Sequence, residues 1–213
     1  MSKSYALTEY ESKNLLNSYG LRTTREVLVY SVEEAIEQSS TLGFPVVLKA
    51  SGEEFLHKSD LGGVKLNLDN EDSVRNAARG LDTEFGFPLL VSEQVESSRE
   101  FIAGVTRNDE YGLVLAFGVG GVFAEIIQDV IFRLLPATKR TIRSMFDELL
   151  HRDLLGQIRG ETEIDLEQLT EALISIGECA MDREDIISID VNPLLINDGM
   201  PIAVDALVEM YDR

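Results

Sequence analysis

The strongest constraint on how this chain folds is its punctuation, in which helix-start signals alternate with short apolar runs. Thr8 with Glu11 forms a capping box ahead of Tyr10, Leu15, Leu16 and Tyr19, and Gly20 stands where a helix end favours a left-handed residue. Ser31 with Glu34 opens a second helix over 32–42, which Gly43 closes, and Asn70 caps a third through about Asp82. Two more are expected over 139–150 and 165–181, the latter begun by Asp165 with Gln168. Between these signals the β-branched and apolar runs 26–30, 45–50, 64–68 and 88–95 read as strands. The segments 100–107 and 113–117 form a hairpin around Asn108-Asp109-Glu110-Tyr111-Gly112, and glycines at 118–121 break the pattern before 122–130. Strands over 186–192 and 202–208, joined through Asn197-Asp198-Gly199, close the chain. No Pro- or Ser-rich linker and no repeat interrupts the order, so any lobes share a tight boundary. The mixture is α+β.

A chain of 213 residues buries roughly 70% of its unfolded surface, so it needs no disulfide or structural metal. Its one cysteine, Cys179, has no internal partner, and Met1-Ser2-Lys3-Ser4 lacks the apolar core of a signal peptide; a reducing, cytoplasmic location is expected. The most apolar stretch, 111–127, holds four glycines and Glu125 and is too short and interrupted to span a membrane. With 19 Lys+Arg against 38 Asp+Glu the net charge is -19, which argues against nonspecific binding to nucleic acid or anionic lipid. That charge is uneven. Acidic and basic residues balance over 45–68, which carries half of the lysines, and basic residues are in excess over 111–143. Both segments hold glycine loops, so a small anion has somewhere to bind.

Lys49 ends an apolar strand, where an ammonium is costly unless it meets a carboxylate or a bound phosphate; the lysine by itself favours an internal ion pair. Eight residues on, His57-Lys58-Ser59-Asp60-Leu61-Gly62-Gly63-Val64 supplies an imidazole, a cation, a hydroxyl and paired glycines in one loop. Glycine amides approach phosphates closely, and imidazole suits accepting and releasing a phosphoryl group near neutral pH. Gly118, Gly120 and Gly121 offer a second anion cradle that fits neither the Walker nor the dinucleotide pattern; a turn between strands explains it equally. Near the C-terminus, Asp190 and Asn192 share one face of a strand, and a neighbouring strand brings Asp205 alongside. Hard oxygen donors of this kind suit Mg²⁺ together with nucleotide phosphates, although an Asx-turn before Pro193 is a competing explanation. Glu93, Gln94 and Val95 end another apolar strand, followed by Glu100: backbone there could read an adenine edge while a carboxylate holds ribose hydroxyls. Arg133, Lys139, Arg140 and Arg143 form a basic group, and His151 is expected at the surface.

Taken in order, these residues resemble the ATP-grasp (beta) subunit of the nucleoside-diphosphate-forming acyl-CoA synthetases, such as the ADP-forming acetyl-CoA synthetases. The resemblance runs from Thr8-Glu9-Tyr10-Glu11-Ser12-Lys13 through 43–49, the loop at 57–64, Glu93-Gln94-Val95, 118–125 and Phe132-Arg133-Leu134-Leu135-Pro136. It ends on Ile189-Asp190-Val191-Asn192-Pro193 and Val204-Asp205-Ala206, and so covers nearly the whole chain. The histidine-bearing loop is its most specific element, since related succinyl-CoA synthetases have a glycine-rich loop there without the histidine.

The resemblance implies a two-lobed ATP-grasp fold with mixed or antiparallel sheets flanked by helices, a smaller lobe over about 21–95 and a larger one from 1–20 plus 96–213. It implies that Lys49 contacts the phosphates of ATP or ADP, that Glu93, Gln94 and Val95 line the adenine hinge, and that Glu100 holds the ribose. It makes Lys58, Gly62, Gly63, Gly118, Gly120 and Gly121 candidates for the phosphate loops, and Asn192 and Asp205 Mg²⁺ ligands with Asp190 close by. His57 would carry a phosphoryl group between nucleotide and partner. The implied reaction is acyl-CoA + ADP + phosphate ⇌ carboxylate + CoA + ATP. The CoA-binding and ligase domains lie outside these residues, so a CoA-binding alpha subunit is expected, in an alpha2beta2-type hetero-oligomer. Two other readings stay open: a stand-alone ATP-grasp carboxylate ligase, which would not need His57, and a non-catalytic nucleotide-sensing module.

Overall fold

The computed structural model describes residues 4–52, 61–121, 127–158 and 161–212, and the elements below lie within them. They fall into two units: a long one of Met1–Leu7, Glu11–Thr23 and Glu96–Arg213, and a short one of Thr8–Tyr10 and Thr24–Val95. The chain enters through strand β1 (Ser4–Ala6) and helix α1 (Glu9–Ser18). Helix α1 stops at Gly20, whose φ of +100° suits a residue without Cβ, and Leu21 N–H returns to the Leu16 carbonyl at 3.2 Å.

The short unit contains β2 (Glu26–Val29), α2 (Val32–Leu42), β3 (Val46–Ala50), β4 (Val64–Leu68), α3 (Glu71–Phe85) and β5 (Leu89–Glu93). Its four strands pair antiparallel in the order β2-β5-β3-β4. Both helices start as their sequence signals require. Ser31 Oγ accepts the Glu34 amide at 3.1 Å, while the Glu34 carboxylate returns to the amide of Tyr30 rather than Ser31, at 2.7 Å. Asn70 and Ser73 cap each other reciprocally, and α3 runs three residues beyond the expected Asp82, to Phe85. Val29, Val46, Leu48, Leu89 and Val91 of the sheet pack with Ala35 of α2 and Val74, Ala78 and Leu81 of α3. Because side chains alternate along a strand, this leaves Val47 and Lys49 of β3 on the opposite face, where both are nevertheless buried.

The long unit adds β6 (Glu100–Asn108), β7 (Gly112–Val119), β8 (Val130–Leu134), α4 (Lys139–Arg143), α5 (Met145–Glu148), a 3₁₀ turn (Arg152–Leu155) and α6 (Leu166–Asp182). It finishes with β9 (Ile186–Asn197), β10 (Met200–Ala203) and β11 (Ala206–Tyr211). The sheet order is β1-β11-β9-β6-β7-β8, with β10 also paired to β9, and the ladders are antiparallel. Leu169, Leu173, Ile176 and Ala180 make the buried stripe of α6, and they share a core with Val105, Leu115, Ile189 and Val208 from the sheet. Phe101 and Phe117 stack at 5.3 Å, and Phe146 meets Phe117 edge-on at 5.3 Å.

Four sequence expectations need correction. The helix expected over 139–150 is two short ones, α4 and α5, meeting at Ser144. It ends at Glu148 because Leu149 is extended and the amides of Leu150 and His151 turn to the buried Asp129 carboxylate, at 3.0 and 2.8 Å. Strands β1 and β8 carried no signal, since each is defined by one partner strand, β11 and β7. Strand β9 continues through Pro193 to Asn197, beyond the expected end at Asn192. The sheet accommodates the proline by irregularity on both sides: β6 shifts register between Phe101 and Ala103, and the opposing chain breaks at Val204-Asp205 into β10 and β11. Among the described residues no helix is long and apolar enough to cross a membrane.

Candidate functional site

In the short unit, Lys49 lies between Leu90 of β5 and Val64 of β4 and is 4% exposed. Its Nζ meets Glu9 Oε1 at 2.5 Å, and Glu9 is itself 7% exposed. The internal partner favoured for a lone lysine therefore exists, and it holds the ammonium in place as a fixed positive charge. The histidine-bearing loop rejoins β3 next to this lysine, where Ala50 N–H donates to the Gly63 carbonyl at 2.8 Å after a turn in which Gly62 has φ +75°. His57 and Lys58 lie outside the described residues.

At the end of β5 the side chains proposed for the adenine hinge are already engaged. Glu93 accepts the Arg25 amide at 2.9 Å and Arg25 Nε at 2.7 Å, and Arg25 also donates to the Leu42 carbonyl at 3.2 Å. Gln94 exchanges two 2.7 Å hydrogen bonds with the amide and side chain of Asn67. These ties engage both side chains and fix the direction in which the backbone leaves toward Val95.

In the long unit, Glu100, Gly120 and Gly121 come together around a cavity of about 290 Å³, with Arg99, Phe101, Val119, Ile127 and Leu154 also in its wall. Gly120 N–H donates to the Glu100 carbonyl at 2.8 Å. Gly121 has φ +82°, and a Cβ there would lie 3.3 Å from Glu100 Oε2. Gly118 belongs to β7 itself: a Cβ would stand 2.4 Å from the Asp129 carbonyl oxygen, so close backbone approach explains this glycine without a ligand. Arg99, which sequence reasoning passed over, is 3% exposed; it donates to the carbonyls of Gly156 and Thr162. Its Nε lies 2.8 Å from Glu161 but is not aligned for a hydrogen bond, so that contact is electrostatic rather than directional. Ser98 Oγ also donates to Glu161, and together these contacts hold Gly156, Glu161 and Thr162 against Ser98 and Arg99.

The acidic corner forms where β9 meets the break between β10 and β11. Asn192 N–H donates to the Asp205 carbonyl at 3.2 Å, and Val204 N–H to the Pro193 carbonyl at 3.1 Å, so the two short segments are laced together. Asp190 and Asn192 alternate outward along β9 while Val191 and Leu194 point to the core. The Asp190 side chain is reachable by solvent yet crowded by protein; desolvation, and then the neighbouring Asp205 charge, hold its carboxyl above the usual range. Two carboxylates that repel each other are hard oxygen donors whose repulsion a divalent cation would relieve, and the Asn192 backbone is tied to the second of them. Among the described residues no cluster of three or more His, Cys, Asp or Glu forms a complete metal cage, so a cation here would draw further ligands from its substrate.

Two of the four residues of the basic group are ion-paired: Arg133 with Glu148, and Lys139 with Glu167 and Glu171. His151 is about half exposed, as expected of a surface residue, but its Nδ1 lies 3.1 Å from Asp129. Burial would raise the Asp129 carboxyl, yet the amides of Leu150 and His151 and the His151 ring outweigh it and bring the group below its ordinary value. Glu9, Arg25, Arg99 and Asp129 carried no role in the sequence reading because each acquires its partner only in the folded chain; buried polar residues at 2–7% exposure would have been the signal for Glu9, Arg99 and Asp129.

A model of the ATP-grasp domain matches residues 1–210. The beta subunit of ADP-forming acetate–CoA ligase I from Pyrococcus furiosus is 34% identical over 209 residues, which cover 94% of this chain and 90% of that subunit. ADP-forming acetate–CoA ligase II of Archaeoglobus fulgidus is 36% identical over 208 residues, covering 97% of this chain but only 31% of that longer protein. Among solved structures, the dinucleotide-forming acetyl-coenzyme A synthetase 1 of Ca. Korarchaeum cryptofilum aligns with a TM-score of 0.86 at 36% identity, covering 98% of this chain and 93% of that one. That structure is a complex with coenzyme A and Mg-AMPPCP, its phosphohistidine segment pointing towards the nucleotide binding site. With matches over almost its whole length, the chain belongs to the ATP-grasp family, among the beta subunits of the ADP-forming acetate–CoA ligases.

Proposed function

We propose that this chain is the nucleotide-binding subunit of an ADP-forming acyl-CoA synthetase of the acetyl-CoA type, working with a CoA-binding alpha subunit in an alpha2beta2-type assembly. The observation that carries this reading is the match to a separate beta subunit over 90% of that subunit's length. The whole reaction, acyl-CoA + ADP + phosphate ⇌ carboxylate + CoA + ATP, belongs to the complex, and this chain contributes its phosphoryl-transfer end.

In this reading Lys49, held by Glu9, presents a fixed positive charge to the nucleotide phosphates, and the backbone leaving β5 at Gln94-Val95 reads the adenine edge. Glu100 binds ribose hydroxyls beside the Gly120-Gly121 turn, and Gly62, Gly63 and Lys58 border the phosphates. Asn192 and Asp205, with Asp190 near, would hold Mg²⁺, which neutralises charge on the phosphates when bound. In the direction of ATP synthesis, a phosphoryl group on a ring nitrogen of His57 passes to ADP: the P–N bond breaks with its electrons returning to nitrogen, and a P–O bond forms to the terminal ADP oxygen. The relay divides a long transfer into shorter ones. Incubation with γ-labelled ATP and Mg²⁺ should place acid-labile, base-stable label on His57, absent in His57→Ala, while the chain without its partner makes no acyl-CoA. Full turnover by His57→Ala with the partner, or acyl-CoA formation by this chain alone, overturns the reading and favours the stand-alone ligase.

A further inference from the structure

Lys13 is among the largest fully buried side chains of the described residues, at 1% exposure. Lysine is almost never buried to this degree without a partner, because its ammonium loses hydration that packing cannot return. From helix α1 its Nζ donates to the carbonyl of Val204 at 3.0 Å, across 191 residues of sequence. Val204 is the first residue of the break between β10 and β11, and the next residue is Asp205. The neighbouring Ser12 takes the Val208 amide at 3.1 Å, so consecutive residues of α1 grip β11 and the corner before it. The corner is also tied to β9 by Asn192 N–H to the Asp205 carbonyl and by Val204 N–H to the Pro193 carbonyl. Val204 thus has both its backbone groups engaged, its N–H with β9 and its C=O, in the peptide that leads into Asp205, with Lys13.

We propose that Lys13 is a positioning residue for the divalent-cation site: by fixing the Val204 carbonyl it sets the peptide plane from which the Asp205 side chain projects toward Asn192 and Asp190. The proposal rests on the metal role assigned above to Asn192 and Asp205. A methionine would fill the same volume without the desolvation cost, so the charge kept here points to a polar task such as holding this carbonyl. An ammonium holds one carbonyl directionally, which suits a ligand-bearing peptide at the break between two strands. Residues that hold a metal ligand in place without touching the metal shift its affinity by about 10–100-fold when removed.

The test measures Mn²⁺ binding to the full chain by loss of the free-ion EPR signal, with AMPPCP present so that no turnover is needed. Lys13→Met should weaken Mn²⁺ binding by about tenfold. Asp205→Asn should weaken it as well, and the double variant should be no weaker than Asp205→Asn alone, because both act on one ligand. A folded Lys13→Met with wild-type Mn²⁺ affinity, or losses that simply multiply in the double variant, overturns the proposal. Wild-type protein that fails to retain Mn²⁺, or Asp205→Asn that retains it fully, overturns the metal assignment instead. Should Lys13→Met not fold, hydrogen exchange on the wild type decides: adding Mn²⁺ and AMPPCP should slow exchange at Asn192, Val204 and Ala206 together with helix α1 around Lys13. Protection of Asn192 and Ala206 without any change in α1 refutes the coupling.

Discussion

The pair Lys49–Glu9 shows how one residue serves stability and binding with different consequences for each. Both side chains are nearly excluded from solvent, so removing one charge takes this ion pair from the other: Glu9→Gln should cost on the order of 3 kcal/mol in urea unfolding. Replacing both, as in Glu9→Leu with Lys49→Met, should restore most of that stability, because a well-packed apolar pair carries no desolvation cost. Nucleotide affinity by calorimetry should stay lost in the double variant, since the phosphates still lack the ammonium; recovery of binding would refute the role given to Lys49. Asp129 makes a different case. Its folded pKa lies below the unfolded value of roughly 3.9, so the stabilisation its charge supplies is complete above that pH and is lost as pH falls through the folded value. Asp129→Asn should therefore be less stable than wild type at neutral pH and show a shallower loss of stability as pH falls below about 4. Equal acid slopes in the two proteins would show that Asp129 does not contribute through its ionisation.

At the level of elements, what could be read in advance was what is local. Capping at Ser31, Asn70 and Asp165 acts over three residues, and all three caps form where the sequence places them. The alternation in β4 and the hairpin of β6 and β7 are likewise written in consecutive residues. Strands β1 and β8 escaped notice because an edge strand of three or five residues owes its conformation to its partner rather than to its own pattern. The break after Glu148 depends on Asp129, some twenty residues earlier, and no window of sequence contains both the helix and the carboxylate that ends it. The same distinction applies at the site: Lys49, Asp190 and Asp205 are conspicuous as charges within or beside apolar strands, whereas Arg99 gains meaning only from Gly156, Glu161 and Thr162. Two glycines make the point quantitatively. Gly118 sits in β7 with a backbone oxygen 2.4 Å from where a Cβ would stand, so Gly118→Ala should destabilise by about 1–3 kcal/mol through overpacking that no side chain can relieve. Gly80, in the middle of α3, has nothing within 4 Å of the same position, and Gly80→Ala should stabilise by about 0.5–1 kcal/mol. Denaturant midpoints of the two variants should move in opposite directions; a shared sign would mean that β7 yields where its packing says it cannot.

For the molecule as a whole, the charge of -19 sets a term that no single contact controls. The acidic excess leaves the regions holding the glycine loops comparatively neutral, so an anionic nucleotide approaches through a locally favourable field within a repulsive one. It also loads the folded state with self-repulsion, because compaction brings like charges closer than they are in the unfolded chain. Opposing this are exposed ion pairs such as Lys139 with Glu167 and Glu171 and Arg75 with Asp72, each worth only about 0–1 kcal/mol and each weakened by salt. With acidic side chains outnumbering basic ones two to one, 38 against 19, repulsion outweighs the pairs, and screening should stabilise the fold. The melting temperature should therefore rise as NaCl increases from about 10 mM to 0.15 M, where the screening length falls from about 30 Å to 8 Å, and should then level off. Replacing Na⁺ by tetramethylammonium separates the causes: an equal rise marks general screening, whereas a rise confined to the small cations marks occupancy of a discrete acidic site such as the Asp190–Asp205 corner. A melting temperature that falls over this range would mean that the ion pairs dominate and that the acidic surface is not a burden the fold must carry.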